Sequence, residues 1–318
     1  MLPAPAFYDA SEVGAVRVER ASLVAATAEA YRRAHAVAPS ESDTTRVAAF
    51  GIDAQIAFCS PAASMFVPGA VDDCRRTLAW LYGNLARITR LFFSLDTHHV
   101  FQIFHPAWWV DERGEHPAPF TPITARDVRA GRYRAVTRAA ESAEYVEKLE
   151  AGGRYALTIW PYHALAGGVD HALEPALMEA AIFHSLVRSA QPRFERKGAR
   201  ALTERYSVLS PEVRELGGRS LGAFAAPLFD ALMRFDRVYV FGQAKSHCVL
   251  ATLRDMRERI AAVDPRWMSK VWILEDATSP VPAPVSPALD FPRLADEGFA
   301  ELRAAGMNLA RTTDPIAI

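Results

Sequence analysis

Arg237-Val-Tyr-Val-Phe-Gly242-Gln-Ala-Lys-Ser-His-Cys248-Val-Leu-Ala-Thr252 is the stretch on which the fold turns. Val238 to Phe241 is a short apolar, β-rich run of the kind that forms a buried parallel strand, and Gly242 ends it. From Ser246 or His247 onward, Cys248, Leu250, Ala251, Leu253 and Met256 recur at helical spacing, which predicts a helix to about Ala262. Cys248 therefore falls in the first turn after a strand, where free backbone N–H groups and the positive end of the helix dipole favour a thiolate. A lone cysteine is equally a small buried hydrophobe. Its place between strand and helix favours the nucleophile.

Outward from this stretch the same pattern repeats. Arg46 to Asp53 is an apolar run ending in a carboxylate, and Leu91-Phe-Phe-Ser-Leu-Asp96 is another. The C-terminal edge of an open α/β sheet is where such folds place their chemistry, although an aspartate there also caps turns. Asp96-Thr-His98 puts a carboxylate and an imidazole on one side of extended chain, a pair suited to zinc, iron or manganese. His99 points the other way, and His105 lies further along. Arg154 to Ile159 has strand composition and leads into Trp160-Pro-Tyr-His163, where Pro161 fixes a turn and presents His163 at another strand edge, either as a hydrogen-bonded structural histidine or as a third metal ligand. Arg193 to Gly198 places Lys197 at a further strand edge, and Lys270 to Asp276 is a later strand. Helices are predicted over Asp72–Arg90 (a surface helix), Ala139–Leu149, Leu173–Arg188 with His184 on its surface, Leu221–Arg234 and Phe291–Ala305. Pro280 to Pro292 reads as a proline-rich loop. Alternating strands and helices define an α/β fold: one doubly wound, Rossmann-like parallel sheet with helices on both faces, a three-layer α/β/α arrangement.

Two segments stand outside this alternation. Residues 1–44 are Ala-rich, with a helix over Ala21 to Val37, and read as an arm packed on the body or on a neighbouring subunit. Residues 45–318 form the main domain, interrupted at about 99–153 by an insertion that carries Trp108 and Trp109. These aromatics serve as a lid or substrate wall, or as a satellite core.

At 318 residues, 50% hydrophobic and 23% charged with a net charge of -1, the composition is that of a globular protein. Without long charged blocks, neither nucleic acid nor a membrane surface is an expected partner. No apolar run approaches twenty residues and no signal-peptide pattern opens the chain. Three cysteines (Cys59, Cys74, Cys248) make no disulfide framework, so a reducing cytoplasm is expected, with Cys59 and Cys74 inert in the core.

Taken together, Asp53, Asp96-x-His98, Trp160-Pro-x-His163, Lys197 and Cys248 in this order resemble the isochorismatase-like cysteine hydrolases, and most of all the nicotinamidases. The likeness spans about Arg46 to Ala277. Gly242-x-Ala244-x-x-x-Cys248-Val-x-Ala-Thr252 matches the nucleophile motif and Ile52-Asp53-x-Gln55 the first-strand motif, while Tyr206-Ser207 places Lys197. The chain departs from the family at Thr97, His99 and Ala164, and at Lys245 and His247 before the nucleophile. The resemblance implies a metal-assisted amidohydrolase: Cys248 attacks a carboxamide, Asp53 moves the proton, and Lys197 stabilises charge. A nearby ammonium and the helix start are expected to lower the thiol pKa. It further implies a cis peptide at Gln243–Ala244 and an oxyanion site at the N–H groups of Ala244 and Cys248. One divalent ion, zinc before iron or manganese, is expected on Asp96, His98 and His163, and Phe58 with Trp108 and Trp109 would sandwich the ring. No organic cofactor is expected. The activity implied is nicotinamide to nicotinate and ammonia, in NAD salvage, by a cytoplasmic homo-oligomer acting on a small amide. A ureido or carbamoyl amide substrate, or a non-catalytic scaffold keeping the fold, are the alternatives.

Overall fold

Apolar runs too short for helices pair side by side, and the amphipathic segments between them cover both faces of the resulting sheet. In the computed structural model, which describes residues 1–282 and 290–316, the main elements run as follows. They are α1 (Ala21–Ala34), β1 (Val47–Ile52), α2 (Ala70–Gly83), β2 (Arg90–Asp96), α3 (Ala139–Ala151), α4 (Pro175–Arg188), β3 (Arg193–Lys197), α5 (Ala226–Met233), β4 (Arg237–Gly242), α6 (Leu250–Val263), β5 (Val271–Leu274), α7 (Phe291–Ala304) and β6 (Asn308–Ala310). Of the loop expected over 280–292, residues 283–289 lie outside the described residues.

The central sheet has the order β6-β5-β4-β1-β2-β3, every pair parallel. The chain winds from β1 outward through β2 and β3, then returns to β4 on the other side of β1. The order therefore reverses between β1 and β4, and the crevice at their C-terminal ends is where such sheets bind ligands. β1 is buried at every residue, as expected of a strand covered on both faces. At the crossing, Gly242 has φ +119°, and a Cβ there would lie 2.0 Å from the Ile52 carbonyl oxygen, so only glycine lets the β4 backbone pass this close to β1.

Residues 1–44 pack on the body of the same chain. Phe7 meets Phe183 edge-on at 5.2 Å, and Arg17 and Arg20 both bind the Glu179 carboxylate of α4. Burial would push Glu179 up, but the two guanidiniums outweigh it and hold the carboxyl at about 2.

Several local expectations change. The helix expected over Asp72–Arg90 ends at Gly83, and Arg90 already belongs to β2. It is an amphipathic surface helix as expected: Leu78, Trp80, Leu81 and Tyr82 are buried while Asp72 and Arg76 face outward. His184 is buried rather than exposed, its Nε2 bonded to the Ile88 carbonyl at 2.9 Å. The run Arg154–Ile159 does not join the central sheet. Only Leu157–Thr158 is a strand, paired antiparallel with Pro122–Ile123. The short edge strand β6 carried too weak a pattern to be expected. No described helix is long and apolar enough to cross a membrane.

Candidate active site

The site grows from strand ends. Register places Asp96, the last residue of β2, directly beside Lys197, the last of β3. Asp53 follows β1 with φ +46°, an uncommon left-handed conformation for a residue other than glycine. Ser94 holds it there, accepting from the Asp53 N–H at 3.0 Å and donating to Oδ1 at 2.6 Å. Lys197 Nζ then meets Asp53 Oδ2 at 2.9 Å, Asp96 Oδ1 at 3.0 Å, the Arg205 carbonyl at 2.9 Å and Cys248 Sγ at 3.7 Å. Burial works against the ammonium, but Asp53 and Asp96 outweigh it and hold its pKa above the usual lysine range.

Cys248 arrives from the other side of the switch point. The Gln243–Ala244 peptide is cis, as expected. One wide π turn over Lys245–Val249 then precedes α6, with the Val249 N–H donating to the Ala244 carbonyl at 3.2 Å. Gln243 anchors the turn through its side chain, donating to Asp73 Oδ2 at 2.9 Å and accepting from the Ser279 N–H. The expected lowering of the thiol pKa is not found. Burial pushes Cys248 well above the usual range, Lys197 opposes this, and Asp53 and Asp96 reinforce it. The resting group is a thiol that hydrogen-bonds the Asp53 carboxylate, so it needs that base to become a nucleophile. Burial likewise raises Asp53, with Lys197 acting against the shift.

Beside Asp53, Lys197 and Cys248, one ligand atom each from Asp96, His98 and His163 lie within 4.8 Å of one another. His163 is brought here by a β-bridge rather than by a sheet strand. The His98 N–H donates to the Ala164 carbonyl and the Ala166 N–H to the His98 carbonyl, which ties the two segments together. Backbone carbonyls orient both rings: Gly198 O lies 3.3 Å from His98 Nδ1, and Pro161 O lies 2.7 Å from His163 Nδ1. With Nδ1 engaged in each ring, Nε2 is the nitrogen left to coordinate, and that of His98 lies 3.0 Å from Asp96 Oδ2. Burial holds His163 neutral, its pKa down at about 3. Two imidazoles and one carboxylate suit a zinc-like ion. His105 is buried near them, its ring centroid 6.0 Å from that of His98 and its Nε2 without a partner, whereas His99 is exposed.

A pocket joins these groups. Cys248, Ala244, Asp96, His98 and His163 line it along with Phe58, Trp160, Tyr206, His247 and Glu204. Phe58 stands edge-on to His163 at 5.5 Å. Trp108 and Trp109 do not line the cavity. Both are buried in the satellite core, their indole N–H groups donating to Ser142 Oγ and the Ile103 carbonyl. Trp160 and Tyr206 take the wall position instead. Both sit inside motifs already singled out for their neighbours, which was the available signal for them.

No protein-family model matches the chain, and no curated protein matches it by sequence. Its fold is that of solved nicotinamidases. The Acinetobacter baumanii nicotinamidase/pyrazinamidase is 17% identical at a TM-score of 0.53, covering 86% of this chain and 99% of its own. The yeast nicotinamidase bound to the inhibitor nicotinaldehyde is 17% identical at 0.53, covering 83% and 99%. The chain is thus an α/β/α protein of the architecture used by these amidases.

Proposed function

We propose that this chain is a cysteine hydrolase of the carboxamide C–N bond, and within that class a nicotinamidase, converting nicotinamide and water to nicotinate and ammonia. The observation that carries the reading is Lys197 Nζ, buried in contact with Asp53, Asp96 and Cys248 at once. Structural ion pairs rarely enclose a cysteine at the C-terminal edge of a sheet beside a cavity.

In this mechanism Asp53 takes the Cys248 proton as the sulfur bonds the carbonyl carbon. The carbonyl oxygen becomes an oxyanion facing the N–H groups of Ala244 and Cys248. Collapse breaks the C–N bond, and Asp53 delivers its proton to the departing nitrogen, which leaves as ammonia. Water then attacks the thioester, giving one proton to Asp53. Collapse frees the carboxylic acid, and Cys248 regains its proton. Lys197 keeps its charge throughout and offsets the negative charge as it shifts between Asp53 and sulfur. Asp96, His98 and His163 would hold the divalent ion, which when bound supplies a Lewis-acid anchor for a ring nitrogen. Phe58 and Trp160 orient the ring.

The test is ammonia release from a panel of amides headed by nicotinamide, with and without chelator, together with mass detection of a thioester on Cys248. Metal analysis should find about one equivalent in the wild type and none in His163→Ala. Full nicotinamide turnover by metal-free protein would overturn the anchoring role and favour a non-pyridine amide.

A further inference from the structure

Behind the catalytic groups, at the outer edge of β3, lies a second cleft. Its wall holds three guanidiniums, those of Arg196, Arg200 and Arg205, together with the exposed His99. None of the described residues lining it is acidic, and Pro211 and Leu221 give it an apolar side.

Elsewhere in the fold, arginines drawn out of bulk water meet carboxylates. Arg17 and Arg20 share Glu179, Arg154 meets Asp255 at 2.9 Å, and Arg188 meets Asp43. Arg196, Arg200 and Arg205 pair with no described carboxylate, and Glu195, the acid beside them on β3, is taken by Arg193 at 2.9 Å. Arg205 is the most constrained of the three. Its Nε and Nη2 donate to the Ser207 and Val208 carbonyls at 3.3 and 2.7 Å, which fixes the guanidinium plane. Its Nη1 finds no described acceptor and is not sealed off from solvent. Arg205 also borders the catalytic pocket, but polar atoms are scarce on that pocket's surface and plentiful on the cleft's. The guanidinium therefore belongs to the cleft side.

Its charge is left without a counterion. Burial pulls the Arg205 pKa down, Glu195 and Asp255 oppose this without forming an ion pair, and Arg200 adds to the fall. Arg17 and Arg20 go the other way, raised by the carboxylate they share. Two like charges brought together at one cleft, one of them partly desolvated, cost free energy that an anion between them offsets. A guanidinium fork matches the oxygens of a phosphate or a carboxylate. With a third cation on the same wall, a group of about two negative charges such as phosphate is the better match.

We propose that this cleft binds the phosphate group of a small molecule, held between Arg200 and Arg205 with Arg196 completing the positive wall. The source is either free phosphate or a phosphate ester whose organic body lies on Pro211 and Leu221. The inference goes beyond the amidase reading and does not depend on it, because no reacting group takes part.

Equilibrium dialysis of the protein as purified, at low ionic strength, tests it with labelled inorganic phosphate and labelled ribose 5-phosphate in separate arms. One equivalent should bind saturably. The double variant Arg196→Gln/Arg200→Gln should bind at least about tenfold more weakly, the scale of a charge-assisted hydrogen bond. Both side chains are exposed and unpaired, so its urea midpoint should match that of the wild type. His163→Ala, altered at the other site, should keep wild-type affinity. Tighter binding of the ester makes a phosphate ester the occupant, and equal binding makes it free phosphate. Affinity within about twofold of wild type in the arginine variant overturns the proposal. So does binding that disappears in His163→Ala, which would place the phosphate on the metal centre, and so does the absence of saturable binding in both arms.

Discussion

Lys197→Met is the most informative perturbation of the buried charge cluster. Methionine keeps the volume of the lysine stem, so the change removes an ammonium and little packing. The lysine side chain is 0% exposed and Asp53 is 0% exposed, so water reaches neither. Removing one partner of such a buried pair costs about 3–5 kcal/mol. That cost has a ceiling, because the stranded Asp53 can pick up a proton. Protonating a carboxyl of ordinary pKa near 3.9 costs roughly 5.6 kcal/mol at pH 8 but only about 1.5 kcal/mol at pH 5. Burial already raises Asp53 against the pull of Lys197, and without that cation its folded-state pKa rises further. The folded variant then binds more protons than the unfolded chain, and its stability falls as pH rises. The deficit against wild type should be about 3–5 kcal/mol near pH 8 and shrink to about 1–2 kcal/mol near pH 5. Urea unfolding of both proteins at the two pH values reads this directly, with chelator present so that no metal ion stands in for the ammonium. Adding Asp53→Asn to Lys197→Met should recover much of the loss at pH 8. A deficit below about 1 kcal/mol at pH 8, or one that does not change with pH, would refute the reasoning.

Three further outcomes are expected. Cys248→Ala should release no measurable ammonia from nicotinamide yet unfold within about 1 kcal/mol of wild type, since it removes one uncharged sulfur; near-full activity would move the chemistry elsewhere. Gly198→Ala should lower both metal content and activity, because φ is +84° and a Cβ would lie 2.5 Å from Asp96 Oδ1 and 2.9 Å from the His98 ring. Metal titration checks this, and unaltered stoichiometry counts against the His98 placement. His184 is held neutral by burial with its pKa down at about 4, so its stabilising contribution is complete above about pH 6.5 and lost as pH falls toward 4. Wild type should therefore lose roughly 3 kcal/mol more than His184→Gln over that interval, measured by chemical denaturation; equal slopes refute it.

What could be read from the residues alone depended on which interactions run along the chain. Cys248, Asp53 and Asp96 were legible because each ends or closely follows an apolar run, and parallel sheets gather such ends, whereas Lys197 ends the charged run Arg193–Lys197 and was placed by the Tyr206-Ser207 after it. His163 was identified through its Trp-Pro-Tyr-His motif, but its route to the site was not: a β-bridge from His98 to Leu165 carries it, and bridges of one residue leave no periodicity. Trp108 and Trp109 misled because a large aromatic is equally suited to a satellite core, and Ser142, which satisfies the Trp108 indole, lies 34 positions away. The state of Cys248 was also misread. Sequence shows the cation and the helix start, but desolvation is a property of the finished cavity and dominates the thiol.

The doubly wound order also has a consequence for synthesis. β1 ends at Ile52, and its neighbour β4 does not begin until Arg237. At about 5–20 residues per second, one flank of an entirely apolar strand waits roughly ten to forty seconds for its partner to be translated. During that interval β1, β2 and β3 can pair, leaving Asp53, Asp96 and Lys197 assembled on an unfinished edge that invites association with other chains. Cys248 joins only when the last third of the polypeptide folds against it. Cys248 is thus absent from every earlier intermediate, and a nascent chain stalled before β4 would be aggregation-prone and, on the proposed mechanism, chemically inert.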